Sequence, residues 1–488
     1  MLTADQAQAK VKALYAKLDR RRPEVEEFDQ YYEGDQPLKF TSAEWAAFHR
    51  GRYAGFADNW CGVVPDAQNE RLAVTGLRVG ESATPAEKVL WADWQRNEME
   101  AQSSQGFLQS LVAKRSAVIV WGDENDEPDM SWEHPAQVYV EYEPSNRRRR
   151  VAAIKAWVDG DMEYATLYEP GALWKWQRKN SAVKVKQGVT ENGLTVVGTS
   201  YRSIGDDGGP WEPRENTGDD VWPLPNPLGE VPVVEVTNRP RLNREPLSDI
   251  AGAKAMQDAI NLLWAYLFAA ADHASMPARV VMGQEPPKVP VLDDKGQVVG
   301  EKQVDIKELQ HGRLLWLTGQ KTSIGQWESA KLDVFTQVIE VAIGHLGGQT
   351  RTPAHYFVAN KGLSNINGET LVATETPLVK KAEEFQLFAG PAIRDIFRLA
   401  AKVRGLDGLA QEMTGASVLW ANPAIRSEAQ QADALLKKKQ MGYPFEYLLE
   451  LDGVAQPDRD RILEMAERER RDPTIERLAA GLDPYTGD

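Results

Sequence analysis

The run AINLLWAYLFAAA, residues 259–271, limits what this chain can fold into more than any other segment. Ala253, Met256, Ile260, Leu263, Leu267 and Ala270 recur at spacings of three and four. This pattern predicts a helix from about residue 248, with Ser248 as N-cap, to about residue 273. Leu262, Trp264, Tyr266 and Phe268 add apolar surface on its other sides. A helix that is apolar nearly all round needs neighbours nearly all round. The run falls short of the roughly 18 residues of a membrane span and contains Asn261, so protein, not lipid, is expected to cover it.

The neighbours must come from a mixed chain. At 488 residues it exceeds the size at which one core keeps growing, so two or more packed regions are expected. Residues 1–33 read as a helix that Pro23 interrupts and restarts. Gly34 and Pro37 then make a turn, and a second helix is expected over residues 43–61. The segment LAVTGLRV reads as a strand. Residues 86–113 read as helix, with Trp91, Trp94, Met99, Phe107, Leu108 and Leu111 as core candidates. From there to about 240 the period shortens to strands, AVIVW, VYVEY, VAAIKAWV, YATLYEP, ALWKWQ and VPVVEVT, with residues 200–229 expected as an exposed loop.

Beyond the apolar helix, residues 277–327 carry Pro-rich bends and short strand-like runs, which suit a small αβ or β module. A helix resumes near 329 and is expected to stop at Gly347 and Gly348, followed by a polar loop to Asn367. Residues 368–404 give the longest helical pattern, with Leu371, Leu378, Ala382, Phe385, Phe388, Ile396, Ala400 and Val403 on one face. At 1.5 Å per residue it would span on the order of 50 Å, kinked at Pro377 and at Gly390–Pro391. The strand-like SVLWANP, three helices over 427–440, 445–452 and 456–472, and a polar tail complete an α+β chain.

No catalytic constellation emerges. GxxxxGK[ST], HExxH and GxSxG are all absent, so neither a DNA-driving ATPase nor a common hydrolase is indicated. The six histidines lack metal-ligand spacing, and DENDEPD, residues 123–129, lacks the Gly and Glu positions of a calcium loop. An SxxK spacing at Ser181 and Lys184 lies in a polar, strand-prone stretch and calls for no catalytic role. Arg147–Arg150 reads as a solvated hairpin turn, and Lys437–Lys439 as the exposed face of a helix. No metal, no cofactor and no enzymatic activity are expected. The single cysteine, Cys61, excludes an intrachain disulfide and suits a buried position in a reducing compartment. The N-terminus shows no signal-peptide pattern. A net charge of −15 argues against a protein that coats DNA, though not against one past which DNA must slide.

Three segments together resemble the portal proteins of long-tailed phages, in particular the Gp6-like (SPP1-type) portal family common in phages of actinobacteria. The first is YYEGDQPLKF, with NWCGVVPDAQNERLAVTGL after it. The second is RTPAHYFVANKGLSNINGETLVATETPLVKKAEEFQ, and the third is VLWANPAIRSEAQQADALLKKKQMGYPFEYLLELDGVAQPD. Pro65, where a strand-compatible residue would be expected, departs from the pattern.

The resemblance implies a non-enzymatic ring, usually of twelve subunits, at one capsid vertex. Double-stranded DNA would pass through it during packaging and ejection. Terminase, head–tail connector proteins, the major capsid protein and a scaffold would be its partners, with assembly in the host cytoplasm and no membrane. It implies a wing over residues 1–245 and stem helices over 246–274 and 329–346. The clip would occupy 275–328, a tunnel loop 347–367, and the long helix with the wing's return strand 368–425. Crown helices over 426–472 and a tail over 473–488 would follow. Arg351, Asn360, Lys361, Asn365 and Asn367 are the candidate DNA contacts in a mostly acidic channel. On the residues alone, another virion ring or connector, or an unrecognised nucleic-acid enzyme, remains open.

Overall fold

The computed structural model describes residues 2–39, 56–80, 85–179, 209–214, 222–275, 279–282, 288–292, 297–303, 314–317, 323–326, 331–357, 368–424 and 428–470. The chain divides into two compact units. One comprises Met1–Gln36, Asn59–Lys254 and Gly347–Asp488, and the other Pro37–Asp58 and Ala255–Leu346.

The first unit begins with helix α1 (Ala4–Glu33), whose N-terminus is closed by a reciprocal capping box between Thr3 and Gln6. Pro23 does not interrupt it. Buried Leu14 and Leu18 before the proline and Val25, Phe28 and Tyr31 after it share the packed face, and Arg22 beside it donates to the Ala136 carbonyl at 2.9 Å. These contacts offset the roughly 3 kcal/mol that an interior proline costs. The helix ends at Gly34, in the left-handed region at φ 84.

A short helix, α2 (Val63–Asn69), holds Pro65 in its first turn, where a backbone N–H would have had no partner in any case. The departure noted at Pro65 is thus a helix start and not an irregular strand. The helix expected over 43–61 lies outside the described residues up to 55, and residues 56–60 are irregular. Strand β1 (Val74–Arg78) follows, then α3 (Pro85–Arg96) and α4 (Met99–Ala113), which Glu98 separates at φ 54. Cys61 is fully buried.

Strands β2 (Arg115–Gly122) and β3 (Pro128–Glu133) form a hairpin whose exposed tip is the acidic run from Asp123. β4 (Val138–Glu143), β5 (Asn146–Asp159), β6 (Met162–Tyr168), β7 (Ala172–Lys179) and β8 (Glu212–Pro213) make an antiparallel sheet in that order. β9 (Leu224–Pro225) pairs with β7, and β10 (Val233–Thr237) pairs with β2. Arg147–Arg150 lies within β5, the turn being at Pro144–Ser145. The loop expected over 200–229 is tied down where described: Trp211 is buried against α1 and this sheet, and β8 and β9 pair with β7.

α5 (Lys254–Ser275) starts six residues later than expected. Ser248 accepts from the Ile250 N–H at 3.2 Å and so closes a turn that precedes the helix. In the second unit the polar residue of the apolar helix has a partner, since Asn261 Oδ1 accepts from the Asp58 N–H at 3.0 Å. Trp264 Nε1 donates to Asp58 Oδ2 at 2.7 Å, and Phe56 meets Phe268 edge-on at 5.0 Å. β11 (Arg279–Met282) sits between β14 (Leu314–Leu317) and β15 (Ser323–Gln326), while β12 (Lys288–Leu292) and β13 (Val298–Gln303) form a hairpin. α6 (Leu332–Thr350) presents Val334, Val338 and Val341 to solvent on one face.

α7 (Gly368–Val403) is continuous through Pro377 and Pro391 and forms the spine of the first unit's core. Phe397 stacks on Trp94 with centroids 5.0 Å apart, and Phe385 meets Phe107 at 5.5 Å. Leu378, Ala382, Phe385, Ile396 and Ala400 of the expected face are fully buried. After α8 (Asp407–Glu412), strand β16 (Ser417–Trp420) returns to pair antiparallel with β1. Helices α9 (Glu428–Gln440), α10 (Phe445–Asp452) and α11 (Gln456–Arg470) fall where their spacing put them. The polar tail lies outside the described residues.

Near its end, α7 is fixed by charge to the segment that precedes β10. Arg398 Nη1 donates to Glu230 Oε1 at 2.6 Å, and Lys402 donates to the same oxygen. Burial pushes the Glu230 carboxyl up, but the hydrogen bonds and charges of Arg398 and Lys402 outweigh it and hold the group down at about 2. A depressed carboxylate stabilises the fold fully above its unfolded value of about 4.5 and loses that contribution as pH falls towards about 2. Discounted for solvent screening, Glu230→Gln is expected to cost about 1–2 kcal/mol at pH 7. In urea unfolding the gap between the two proteins should narrow at pH 3; an equal gap at both pH values would contradict the assignment.

Candidate functional site: the root of the loop after α6

Gly347 and Gly348 do not end α6, which continues to Thr350. Gly347 is needed for close approach: a Cβ there would lie 3.0 Å from the Phe357 ring and 3.2 Å from the Thr352 carbonyl. The helix ends instead at Arg351, at φ 58, with the Thr352 N–H donating to the Gly347 carbonyl at 3.0 Å. This is the left-handed helix end that glycine usually supplies, here taken by an arginine. Arg351 Nη2 donates to Glu384 of α7 at 3.0 Å and is half-exposed.

Pro353 opens a single 3₁₀ turn, Ala354–Tyr356, and Phe357 beyond it is buried with its ring 5.7 Å from Trp60. The turn is held to α7 by a buried charge cluster. Glu375, 2% exposed, accepts from Arg71 Nη2 at 2.6 Å, and its other oxygen lies 2.7 Å from His355 Nε2. Arg71 also donates to the Tyr356 hydroxyl and to the Pro423 carbonyl, each at 2.9 Å. One guanidinium thus joins the loop root, the long helix and the segment after β16.

A second buried pair stands further along α7. Lys381, 2% exposed, lies 2.7 Å from Asp249 Oδ2, and Asp249 also takes Arg239 at 3.0 Å and the Asn238 amide at 2.9 Å. Burial lowers the Lys381 pKa, opposed by the charge of Asp249. The two clusters rigidify the start of α7 and the turn that leaves α6. This is the chemistry of a mechanical anchor, in which paired charges fix positions.

Of the five candidate DNA contacts, Arg351 is at this root, and Asn360, Lys361, Asn365 and Asn367 lie outside the described residues. Arg71, His355, Glu375 and Lys381 went unrecognised in the sequence. For Glu375 a signal was present: it continues the Leu371, Leu378, Ala382, Phe385 spacing and so belongs on the buried face. A carboxylate there requires a buried cation.

Buried charges thus tie the 3₁₀ turn that follows α6 to the long spine helix. The family model described as phage portal protein, SPP1 Gp6-like, matches residues 11–472, and the chain belongs to that family of phage portal proteins. It is similar to the portal protein of Mycobacterium phage L5, with 25% identity over 392 residues, covering 76% of this chain and 70% of that protein. It is similar also to the portal protein of Mycobacterium phage D29, with 25% identity over 391 residues and the same coverage.

Proposed function

We propose that this chain forms a closed ring at one capsid vertex, passes double-stranded DNA inward during packaging and outward during ejection, and performs no catalysis itself. The observation that carries the reading is the family match along nearly the whole chain. The exposed valine stripe of α6 fits it, since identical subunits arranged head to tail around a ring can cover such a face. Within the ring, residues 1–245 and the strand near 420 act as wing, 246–274 and 329–346 as stem, 275–328 as clip, and 426–472 as crown. The loop over 347–367 faces the channel, with Arg351, Asn360, Lys361, Asn365 and Asn367 touching DNA. Twelve subunits, a terminase and then head–tail connectors docking on the clip, and capsid and scaffold proteins around the wing complete the proposal. A net charge of −15 for the chain fits a mostly acidic lining that does not grip phosphate tightly.

Arg351→Gly tests the loop's role apart from its fold. Losing the exposed ion pair costs about 0.2–1 kcal/mol, while relief of the left-handed backbone returns about 1 kcal/mol, so the melting temperature should hold. Phage yield in complementation should fall if Arg351 guides DNA. An unchanged yield from a stably folded variant removes Arg351 from the channel.

A further inference from the structure

Over residues 146–152 β5 pairs on one side with β4, at Asn146, Arg150 and Ala152, and has no strand on its other side among the described residues. β6 pairs with β5 only over Ala153 to Asp159. On the other side the register steps from Tyr142–Arg150 to Glu143–Asn146, so Arg147, Arg148 and Arg149 have no partner residue on β4. All three are exposed. Arg149 lies 3.4 Å from Glu143, Arg147 donates to Asn243 at 3.1 Å, and Arg148 has no side-chain partner among the described residues.

Beside them lies a cleft of about 430 Å³, whose charged lining is Arg148, Arg149, Arg150, Glu230, Asp395 and Arg398. Its two carboxylates are already engaged. Arg398 donates to Glu230 at 2.6 Å and to Asp395 at 2.7 Å, Arg150 donates to Asp395 at 2.5 Å, and Lys402 holds Glu230. The charge left over is positive, concentrated in Arg148 and Arg149, within a chain of net charge −15.

The geometry points to residues 146–152 as a docking site for an extended acidic segment of a partner protein, added as a further strand along this edge. Three features select that occupant. The Arg148 N–H is taken by Asn146 Oδ1 at 3.1 Å, but the main chain on the side that β6 leaves open suits an incoming peptide strand, whereas a phosphodiester chain has no use for the edge. Successive side chains of a strand point to opposite faces, so a run of consecutive carboxylates can meet Arg148 on one face and Arg149 on the other. The same edge on a second copy is repelled, because like charges would stand opposite one another. Among the described residues no aromatic ring lines the cleft to stack a base, which further disfavours nucleic acid.

The test uses the full assembled protein and three labelled probes of similar charge: an oligoglutamate, the same peptide N-methylated at alternate residues, and a short DNA duplex. Fluorescence anisotropy at low salt is expected to show that oligoglutamate binds and that the N-methylated form binds roughly tenfold or more weakly. Hydrogen exchange should slow at the amides of residues 146–152. Arg148→Glu with Arg149→Glu should abolish binding without changing the melting temperature, and the paired Arg→Lys variant should retain most of it. Tighter binding of the duplex at this cleft would make it a nucleic-acid site and overturn the inference. Equal binding of both peptides, or no protection at residues 146–152, would overturn it as well.

Discussion

Glu375→Ala is expected to destabilise the protein by about 3–5 kcal/mol, because it strands the buried guanidinium of Arg71 without its carboxylate. Arg71 would keep its bonds to the Tyr356 hydroxyl and the Pro423 carbonyl, but neither answers its charge. The loss should appear in urea unfolding as a lower midpoint at unchanged slope. Arg71→Met with Glu375→Leu should recover most of that stability, since two apolar side chains of similar size need no pairing. His355 and Tyr356 would still be released from α7, so the double variant should fold while the loop root exchanges its amide protons faster. Retained protection at residues 354–357 would mean that Phe357 and Gly347 hold the root without the charges.

Trp94→Ala should cost a similar amount, about 3–5 kcal/mol, by a different route. Trp94 is fully buried between Phe397, with ring centroids 5.0 Å apart, and Trp91 at 6.1 Å, so its removal leaves a cavity where α3 meets the spine helix. Its indole N–H has no acceptor among the described residues. Trp94→Phe therefore keeps most of the stacking at no hydrogen-bond loss and should cost less than about 1.5 kcal/mol. If alanine and phenylalanine cost the same, ring packing is not what binds α3 to α7.

These two sites differ in how far the sequence revealed them. Trp94 was legible because aromatic residues at helical spacing in 86–113 have one plausible destination, the core. The same logic recovered the buried face of α7, the three C-terminal helices and most strands of the antiparallel sheet. Local signals misled where tertiary contacts override them. Pro23 stays inside α1 because both sides of the helix are packed, and Gly347 stays inside α6 because it makes room for Phe357. Ser248 has the chemistry of a cap but closes a turn, since the next residue, Asp249, pairs with Lys381 of α7. The buried charges escaped because their partners lie on other elements of the chain, Arg71 and Glu375 being 304 positions apart. Spacing within one helix could mark Glu375 as buried, but nothing local names Arg71.

The family match identifies a portal protein, and the buried clusters explain how its candidate channel loop is rooted in a rigid spine. Electron microscopy of the purified protein tests the ring and its channel most directly. The account predicts closed rings of identical subunits with a central hole wide enough for a DNA duplex. Particles that remain monomeric at high concentration, or rings whose hole is too narrow for duplex DNA, would contradict it.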